Sequence, residues 1–236
     1  MQEAPDQGVR RGRGRPPHIS CGAEWHSARR LVIGANWART FRLGNHDVLA
    51  VANGAGAHRA ASAVDAAAAL FRPDAVISMG LCGALDPQLR IADVVVASSV
   101  VAADRSYAAL PVSCASPHHT GVVRSIDHVA QTADEKRRLR AGGAMVVEME
   151  AAGVAARAEA RGLPFYCIRV VSDLAGETMA NDFNAALRAD GHFDTMVILK
   201  ATLRRPLARL PELCRLRRRS FRAARVLGDF IADCRF

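Results

Sequence analysis

Two stretches, Met145-Val-Val-Glu-Met-Glu-Ala151 and Phe165-Tyr-Cys-Ile-Arg-Val-Val-Ser-Asp173, carry most of the structural information in this sequence. They predict a short strand, a helix that begins near Glu150, and a strand that is buried on both faces. Ligands bind at the carboxyl ends of strands in open α/β sheets, so Asp173 lies where we expect chemistry. The alternative interpretation of Asp173 is an N-cap of the next helix, and position alone does not separate the two.

The composition is that of a tightly packed α/β protein. The chain has 236 residues, of which 50% are hydrophobic and 5% aromatic. This length allows one full hydrophobic core, with or without an extension. Strands at 47–52 and 75–78 with a helix at 57–71 between them predict a parallel pair joined by a right-handed crossover. A loop at 79–87 and a helix at 181–203 are also expected.

The net charge of +9 is concentrated at the two ends of the sequence. Residues 1–17 carry four Arg against two acids, and residues 200–236 carry eleven Lys and Arg against three acids. About −1 remains for residues 18–199. A near-neutral central region argues against a nucleic-acid-binding core, whereas a basic end could bind an anionic surface.

Charge and composition together divide the sequence into three parts. Residues 1–17, rich in Gly, Pro and Arg, predict a disordered basic tail, and residues 18–205 predict the globular domain. Residues 206–236, where Leu alternates with Arg, predict a basic amphipathic helical extension. This extension is either packed on its own domain or an interfacial helix whose apolar face enters a membrane.

The six cysteines occur singly, with no Cys-x-x-Cys pair. Zinc sites need clustered ligands, so no metal is expected. The basic start is followed by no apolar segment, and no apolar run reaches the roughly 20 residues of a membrane-spanning helix. We therefore expect a cytoplasmic protein with reduced thiols, with peripheral contact at the inner membrane surface as the alternative.

Four motifs in a fixed order resemble the nucleoside phosphorylase and nucleosidase superfamily. They are Gly54-Ala-Gly56, Gly80-x-x-Gly83-Ala-Leu, Val147-Glu-Met-Glu-Ala151 and Arg169-x-x-Ser172-Asp173. The resemblance covers residues 47–200 and implies a single-domain α/β fold with a central mixed sheet flanked by helices. Within this superfamily the sequence is most similar to the hopanoid-associated phosphorylases, at residues 84–96 and 203–216. That similarity implies a lipid-linked adenine nucleoside as the substrate.

The resemblance also implies roles for individual residues. Asp173 would be the general acid that protonates the leaving purine, and Ser172 would orient it. Glu150 would bind the ribose hydroxyls, and Met149 would pack on the sugar. Such a reaction builds an oxocarbenium-like sugar, so it needs a protonated leaving group and a fixed carboxylate near the ribose. Burial beside the Val170-Val171 run would keep the acid protonated.

Further site residues follow from the same resemblance. Cys82, Gly83 and Val129 would line the substrate pocket. Cys82 is not expected to be a nucleophile, because no base lies near it in the sequence. Glu24 is the candidate base for an attacking water. Phosphorolytic relatives carry Arg and Ser or Thr where this chain has Ser78 and Leu81, which favours water over phosphate as the nucleophile.

The predicted function is cleavage of the N-glycosidic bond of an adenosine derivative with an apolar 5′ substituent, releasing adenine in hopanoid biosynthesis. Two alternatives stay open: a phosphate-dependent purine nucleoside phosphorylase acting on a soluble nucleoside, and a non-catalytic nucleoside-binding or membrane-surface protein. No cofactor is expected, with phosphate as a co-substrate in the first alternative. A homo-oligomer is expected, and no nucleic-acid partner.

Overall fold

The computed structural model describes residues 29–30, 35–103 and 105–236. The predicted tail 1–17 and the candidate base Glu24 lie outside the described residues. In chain order the elements are β1 (Arg29–Arg30), β2 (Trp37–Leu43), β3 (His46–Ala52), α1 (Ala57–Ala68), β4 (Val76–Ala84), β5 (Val94–Ala102), β6 (Arg105–Ala108), β7 (His119–Ser125), α2 (Ala133–Arg140), β8 (Ala144–Glu148), α3 (Ala151–Ala160), β9 (Phe165–Asp173), α4 (Thr195–Arg204) and α5 (Pro206–Asp233).

The central sheet is mixed and closes on itself. Its strand order is β6-β5-β7-β8-β4-β9, and β9 also pairs with β5. Neighbours β5–β7, β7–β8 and β4–β9 are parallel, whereas β4–β8, β5–β9 and β5–β6 are antiparallel. Val94–Val96 and Val170–Val171 are fully or almost fully buried, as expected for strands covered on both faces. The predicted mixed sheet is confirmed.

Helices cover the sheet, and α1 packs closely on α3. Gly153 allows this approach, because a Cβ at that position would overlap the backbone carbonyl of Ala57. Thr132 caps α2 by accepting a hydrogen bond from the Glu135 backbone N–H at 3.1 Å. The Glu135 carboxylate bonds to His128 and to the Gln131 backbone N–H and does not return a bond to Thr132, so only half of a capping box forms.

Three local predictions are wrong. The expected parallel pair of the strands at 47–52 and 75–78 does not form, because β3 pairs antiparallel with β2 in a separate sheet of order β1-β2-β3, while β4 belongs to the central sheet. The expected loop at 79–87 is largely strand, because β4 continues to Ala84 along its parallel partner β9. The expected helix at 181–203 begins only at Thr195, where Asp194 accepts bonds from two backbone N–H groups of the first turn. The preceding segment is held by side-chain hydrogen bonds instead, which compete with helix formation.

The C-terminal extension forms one helix that packs on the domain along its second half. Ala223, Leu227, Phe230 and Ile231 are buried in a cluster with Val94, Val96, Ile168 and Val170 of the sheet. The first half keeps exposed leucines, with Leu207 94% exposed. The second half is therefore a helix packed on its own domain, and a membrane contact of the exposed first half stays a prediction. Its boundary with the preceding domain stays a prediction.

Candidate active site

The carboxyl ends of four strands meet at one place in the central sheet. Gly83 of β4 lies opposite Val147 of β8 on one side and Asp173 of β9 on the other. Ser125, the last residue of β7, lies opposite Glu148. The turn that carries Glu150 follows β8 directly, so the two predicted carboxylates leave the ends of the strands on either side of β4, where ligands bind in α/β sheets.

Asp173 is buried, with 8% of its surface exposed. Its Oδ2 lies 3.0 Å from the Ser172 hydroxyl, which is also 3.1 Å from the Cys82 carbonyl oxygen. The pairing of β4 with β9 shifts by one residue here, so that Ser172 and Asp173 approach the same strand end. No helix begins in residues 174–194, which rules out Asp173 as a helix N-cap.

Lys136 is the main site residue that the sequence did not indicate. It lies on α2, is fully buried, and donates from Nζ to Asp173 Oδ1 and, at 2.9 Å, to the Leu174 carbonyl. Each oxygen of Asp173 therefore has its own partner. The surrounding sequence, Ala133-Asp-Glu-Lys-Arg-Arg-Leu-Arg140, is that of an exposed helix, so no local signal marks Lys136.

Gly83 leaves the space that the Asp173 carboxylate occupies. A Cβ on Gly83 would lie 2.8 Å from Asp173 Oδ1 and 3.3 Å from Val147 Cγ1. Cys82 has its thiol in the main hydrophobic cluster, where burial raises its pKa well above the usual value. It contributes its carbonyl to the site, and burial disfavours the thiolate that a nucleophile needs.

Glu148 has a structural role that separates it from Glu150. Its carboxylate accepts hydrogen bonds from the backbone N–H groups of Glu150 and Ala151 at the start of α3, and from Arg169 at 2.6 Å. Burial opposes its ionisation, but Arg169 and the N–H donors outweigh burial and lower the pKa of Glu148. Arg169 within an apolar strand was a sequence signal for such a buried acidic partner.

Glu150 is free of any ion pair in the described part of the chain. Its Oε1 accepts a hydrogen bond from the Gly56 backbone N–H at 3.0 Å, which ties the 54–56 turn to the site. Gly56 has a φ of 104°, a conformation that favours glycine. Burial and the negative charge of Glu148 raise the pKa of Glu150. Met149 beside it is buried.

Val129 lies in the loop after β7 and is held by Asn184. The Val129 N–H donates to Asn184 Oδ1 at 2.8 Å, and its carbonyl accepts from Asn184 Nδ2 at 3.0 Å. Gln131 adds bonds to Met179, Asp182 and Phe183. The loop after β7 is thereby fixed to the segment that follows Asp173. Val129 stays a predicted substrate contact.

A small cavity of about 130 Å³ lies beside Asp173, between the segment after β9 and α5. Its lining combines Met179 and Leu216 with Glu177, Arg215 and Arg219. Arg219 donates to both oxygens of Glu177 at 2.8 Å, and Glu177 accepts from the Leu174 N–H at 3.0 Å. The extension therefore forms one wall of the space next to Asp173.

The described ranges contain no group of three His, Cys, Asp or Glu side chains that could hold a metal ion. Within those same ranges, no helix combines the length and apolar character needed to cross a bilayer.

Comparison with known proteins agrees with this geometry. The family model of the Phosphorylase superfamily matches residues 18–113 and 112–195. A 5′-methylthioadenosine/S-adenosylhomocysteine nucleosidase from Staphylococcus aureus is 26% identical over 174 residues, which cover 61% of this chain and 76% of that protein.

Solved structures share the fold. The 5′-methylthioadenosine/S-adenosylhomocysteine nucleosidase from Neisseria meningitidis, in complex with methylthio-immucillin-A, matches with a TM-score of 0.65 at 19% identity over 88% of this chain and 89% of that one. The enzyme from S. pneumoniae with a transition-state inhibitor matches with a TM-score of 0.62 at 22% identity over 88% and 90%. The predicted single-domain α/β fold is confirmed.

Proposed function

Because the chain belongs to the Phosphorylase superfamily, we propose that it hydrolyses the N-glycosidic bond of an adenine nucleoside and releases adenine. The observation that carries the proposal is the buried Asp173 carboxyl, held between Lys136 and Ser172 at the meeting point of the strand ends. Membership confirms the predicted enzyme class, an N-glycosidic nucleosidase or phosphorylase.

Asp173 is proposed to protonate the departing purine. The Ser172 hydroxyl lies 3.0 Å from Asp173 Oδ2 and 3.1 Å from the Cys82 carbonyl oxygen, and Lys136 donates to Asp173 Oδ1, so both carboxyl oxygens are fixed in place. A carboxyl group positioned in this way can serve as the general acid when it enters the reaction protonated.

Glu150 is proposed to bind the ribose hydroxyls. Its neighbour Glu148 already has the Arg169 guanidinium and two N–H donors as partners, so Glu150 is the carboxylate of the pair with capacity left for a ligand. A carboxylate near the ribose stabilises positive charge that develops on the sugar. Met149, buried next to it, would contact the apolar side of the ribose.

We favour water over phosphate as the nucleophile because the buried cations are already paired. The two buried cations in the described ranges are Lys136 and Arg169, and each is already paired with a carboxylate. Ser78, at the place where phosphorolytic relatives carry Arg, accepts a hydrogen bond from Arg169 at 2.7 Å. Neither cation is left free to neutralise a phosphate ion.

The substrate is proposed to carry an apolar 5′ substituent, and adenosylhopane in hopanoid biosynthesis is the specific candidate. Its support is the sequence resemblance at 84–96 and 203–216, together with the extension that forms a wall beside Asp173. The relatives are named for 5′-methylthioadenosine, with an apolar methylthio group at the 5′ position, and for S-adenosylhomocysteine, with a charged amino acid there, so their name supports the adenine nucleoside and not an apolar 5′ group. A homo-oligomeric state stays a prediction.

Chromatographic measurement of adenine released from 5′-deoxy-5′-alkyladenosines tests the proposal, with and without phosphate. We expect release without phosphate, and a loss of about 10²–10⁴-fold in Asp173→Asn, the size of an acid–base contribution. Strict dependence on phosphate would instead establish the phosphorylase alternative. An Asp173→Asn variant as active as the unchanged protein would exclude Asp173 as the acid.

A further inference from the structure

Large apolar side chains are exposed just before α4, along α4 and at the start of α5: Phe193, Met196, Leu199, Leu203, Leu207 and Leu210. Met196, Leu199 and Leu203 have the spacing i, i+3 and i+7, so they share one face of α4. Isolated exposed leucines are common, but several large apolar side chains exposed on one helix face indicate an interaction site.

The same part of the chain is strongly cationic. Residues 195–228 contain ten Lys and Arg and one acid, Glu212. Glu212 is buried and accepts hydrogen bonds from the backbone N–H groups of Ala180 and Asn181. Eight of the ten cations are exposed. We call residues 193–225 the α4–α5 surface, and it presents apolar side chains and cations with no exposed carboxylate between 195 and 225.

We propose that the α4–α5 surface binds an anionic lipid bilayer. Leu and Met side chains would enter the boundary between head groups and acyl chains, while Arg and Lys would contact lipid phosphates. The sequence placed such a contact on 207–236. The structure packs the second half of that segment against the sheet, so the contact comprises α4 and the exposed residues of α5 up to Arg225.

The charge distribution disfavours the other partners. Two copies of the chain related by a two-fold axis would bring this cationic surface against itself, and like charges in an interface are repulsive. A nucleic acid would pair with the Arg side chains but would leave the exposed leucines around Leu207 without an apolar partner. A bilayer satisfies both groups at once.

The inference extends to substrate delivery, and this extension rests on the proposed function. Arg215, Leu216 and Arg219 of α5 line the cavity beside Asp173. The helix that contacts lipid is thus also a wall of the space next to the predicted acid. A nucleoside held in the membrane by an apolar 5′ substituent would reach Asp173 along α5.

Co-sedimentation of the full chain with vesicles tests the surface. We expect binding to phosphatidylglycerol vesicles, weakening with added salt, and no binding to phosphatidylcholine vesicles. The variant Leu203→Glu/Leu207→Glu should lose binding. Its matched control is Leu70→Glu, since Leu70 is an exposed leucine far from this surface in sequence, and that variant should bind normally.

A second pair of variants tests the charge. Each cation near an anionic surface contributes roughly a fivefold gain in binding, so Arg218→Gln/Arg222→Gln should weaken binding by about 25-fold. Its control is Arg72→Gln/Arg138→Gln, two exposed arginines outside the α4–α5 surface, which should bind like the unchanged chain.

Two results would overturn the inference. One is vesicle binding that neither pair of variants changes, which would assign the membrane contact to another segment such as 1–17. The other is a change of oligomeric mass in Leu203→Glu/Leu207→Glu without a change in vesicle binding, which would make the surface a contact between copies.

Adenine release from a short-chain substrate in solution separates this inference from the proposed function. The Leu203→Glu/Leu207→Glu variant should still release adenine from the short-chain substrate and should lose release only from a long-chain substrate in vesicles. That result supports both the membrane contact and the proposed function. No release by the unchanged chain, with vesicle binding intact, refutes the proposed function alone.

Discussion

Replacing Lys136 with methionine removes the ammonium group that lies against Asp173 and keeps a long unbranched side chain. The Lys136 side chain is 1% exposed and that of Asp173 is 11% exposed, so water cannot readily replace the lost partner. Removing one partner of a buried ion pair costs about 3–5 kcal/mol, because the other charge stays buried without compensation. We therefore expect Lys136→Met to lower the free energy of unfolding by about that amount.

The measurement is urea unfolding, followed by circular dichroism, of the unchanged chain, Lys136→Met, Asp173→Asn and the double variant. Asparagine carries no charge, so the double variant should be more stable than the sum of the two single effects predicts. A coupling free energy above about 1 kcal/mol is expected for groups in contact. The control is Arg138→Met, at an exposed position of the same helix, where a change within about 0.5 kcal/mol is expected.

Adenine release by the same four proteins tests the positioning role of Lys136. Asp173 Oδ1 loses its partner in Lys136→Met, so release should fall even in buffer without urea, where the variant is folded. Additive effects on the free energy of unfolding would refute the reasoning, since two groups that form a buried ion pair cannot act independently.

Three further changes have expected outcomes. Gly83→Ala should lower the rate of adenine release even if the free energy of unfolding changes little, because the added methyl displaces the Asp173 carboxylate. A variant with the activity and the stability of the unchanged chain would contradict this. Thr132→Ala should cost about 1 kcal/mol in urea unfolding through loss of the α2 cap, whereas Thr132→Ser should cost far less. Hydrogen bonds to its two acidic neighbours raise the pKa of His128, so its stabilising effect is full below about pH 6.5 and disappears as pH rises through the higher folded pKa. The stability difference between pH 6 and pH 8 should therefore shrink in His128→Asn, and an unchanged difference would contradict that role.

The strands and helix around the site could be predicted because their signals are local. The apolar β-branched run before Asp173 has few alternatives to a buried strand, and that strand extends from Phe165 to Asp173. Glu150 lies at the start of α3 as expected. The wrong predictions fall where local signals were misleading. Glycines at 80 and 83 suggested a loop, but pairing with β9 keeps them in a strand.

The extension shows the same limit. Its leucines and arginines predict an amphipathic helix, and α5 is one. Spacing alone could not show that the second half packs on the sheet while the first half stays exposed, because both halves carry apolar and basic residues. Which half is buried depends on the surface that the domain presents to it, as the contact of Phe230 with the sheet cluster illustrates.

The sequence by itself determined the elements that carry Asp173 and Glu150, since a run of apolar residues and the residue that ends it are properties of neighbouring positions. Only the tertiary structure decided which groups surround these carboxylates. Lys136 reaches Asp173 across 37 positions of the chain, and Asn184 reaches Val129 across 55. Such partners are chosen by the segments that folding brings together, so no pattern of neighbouring residues records them.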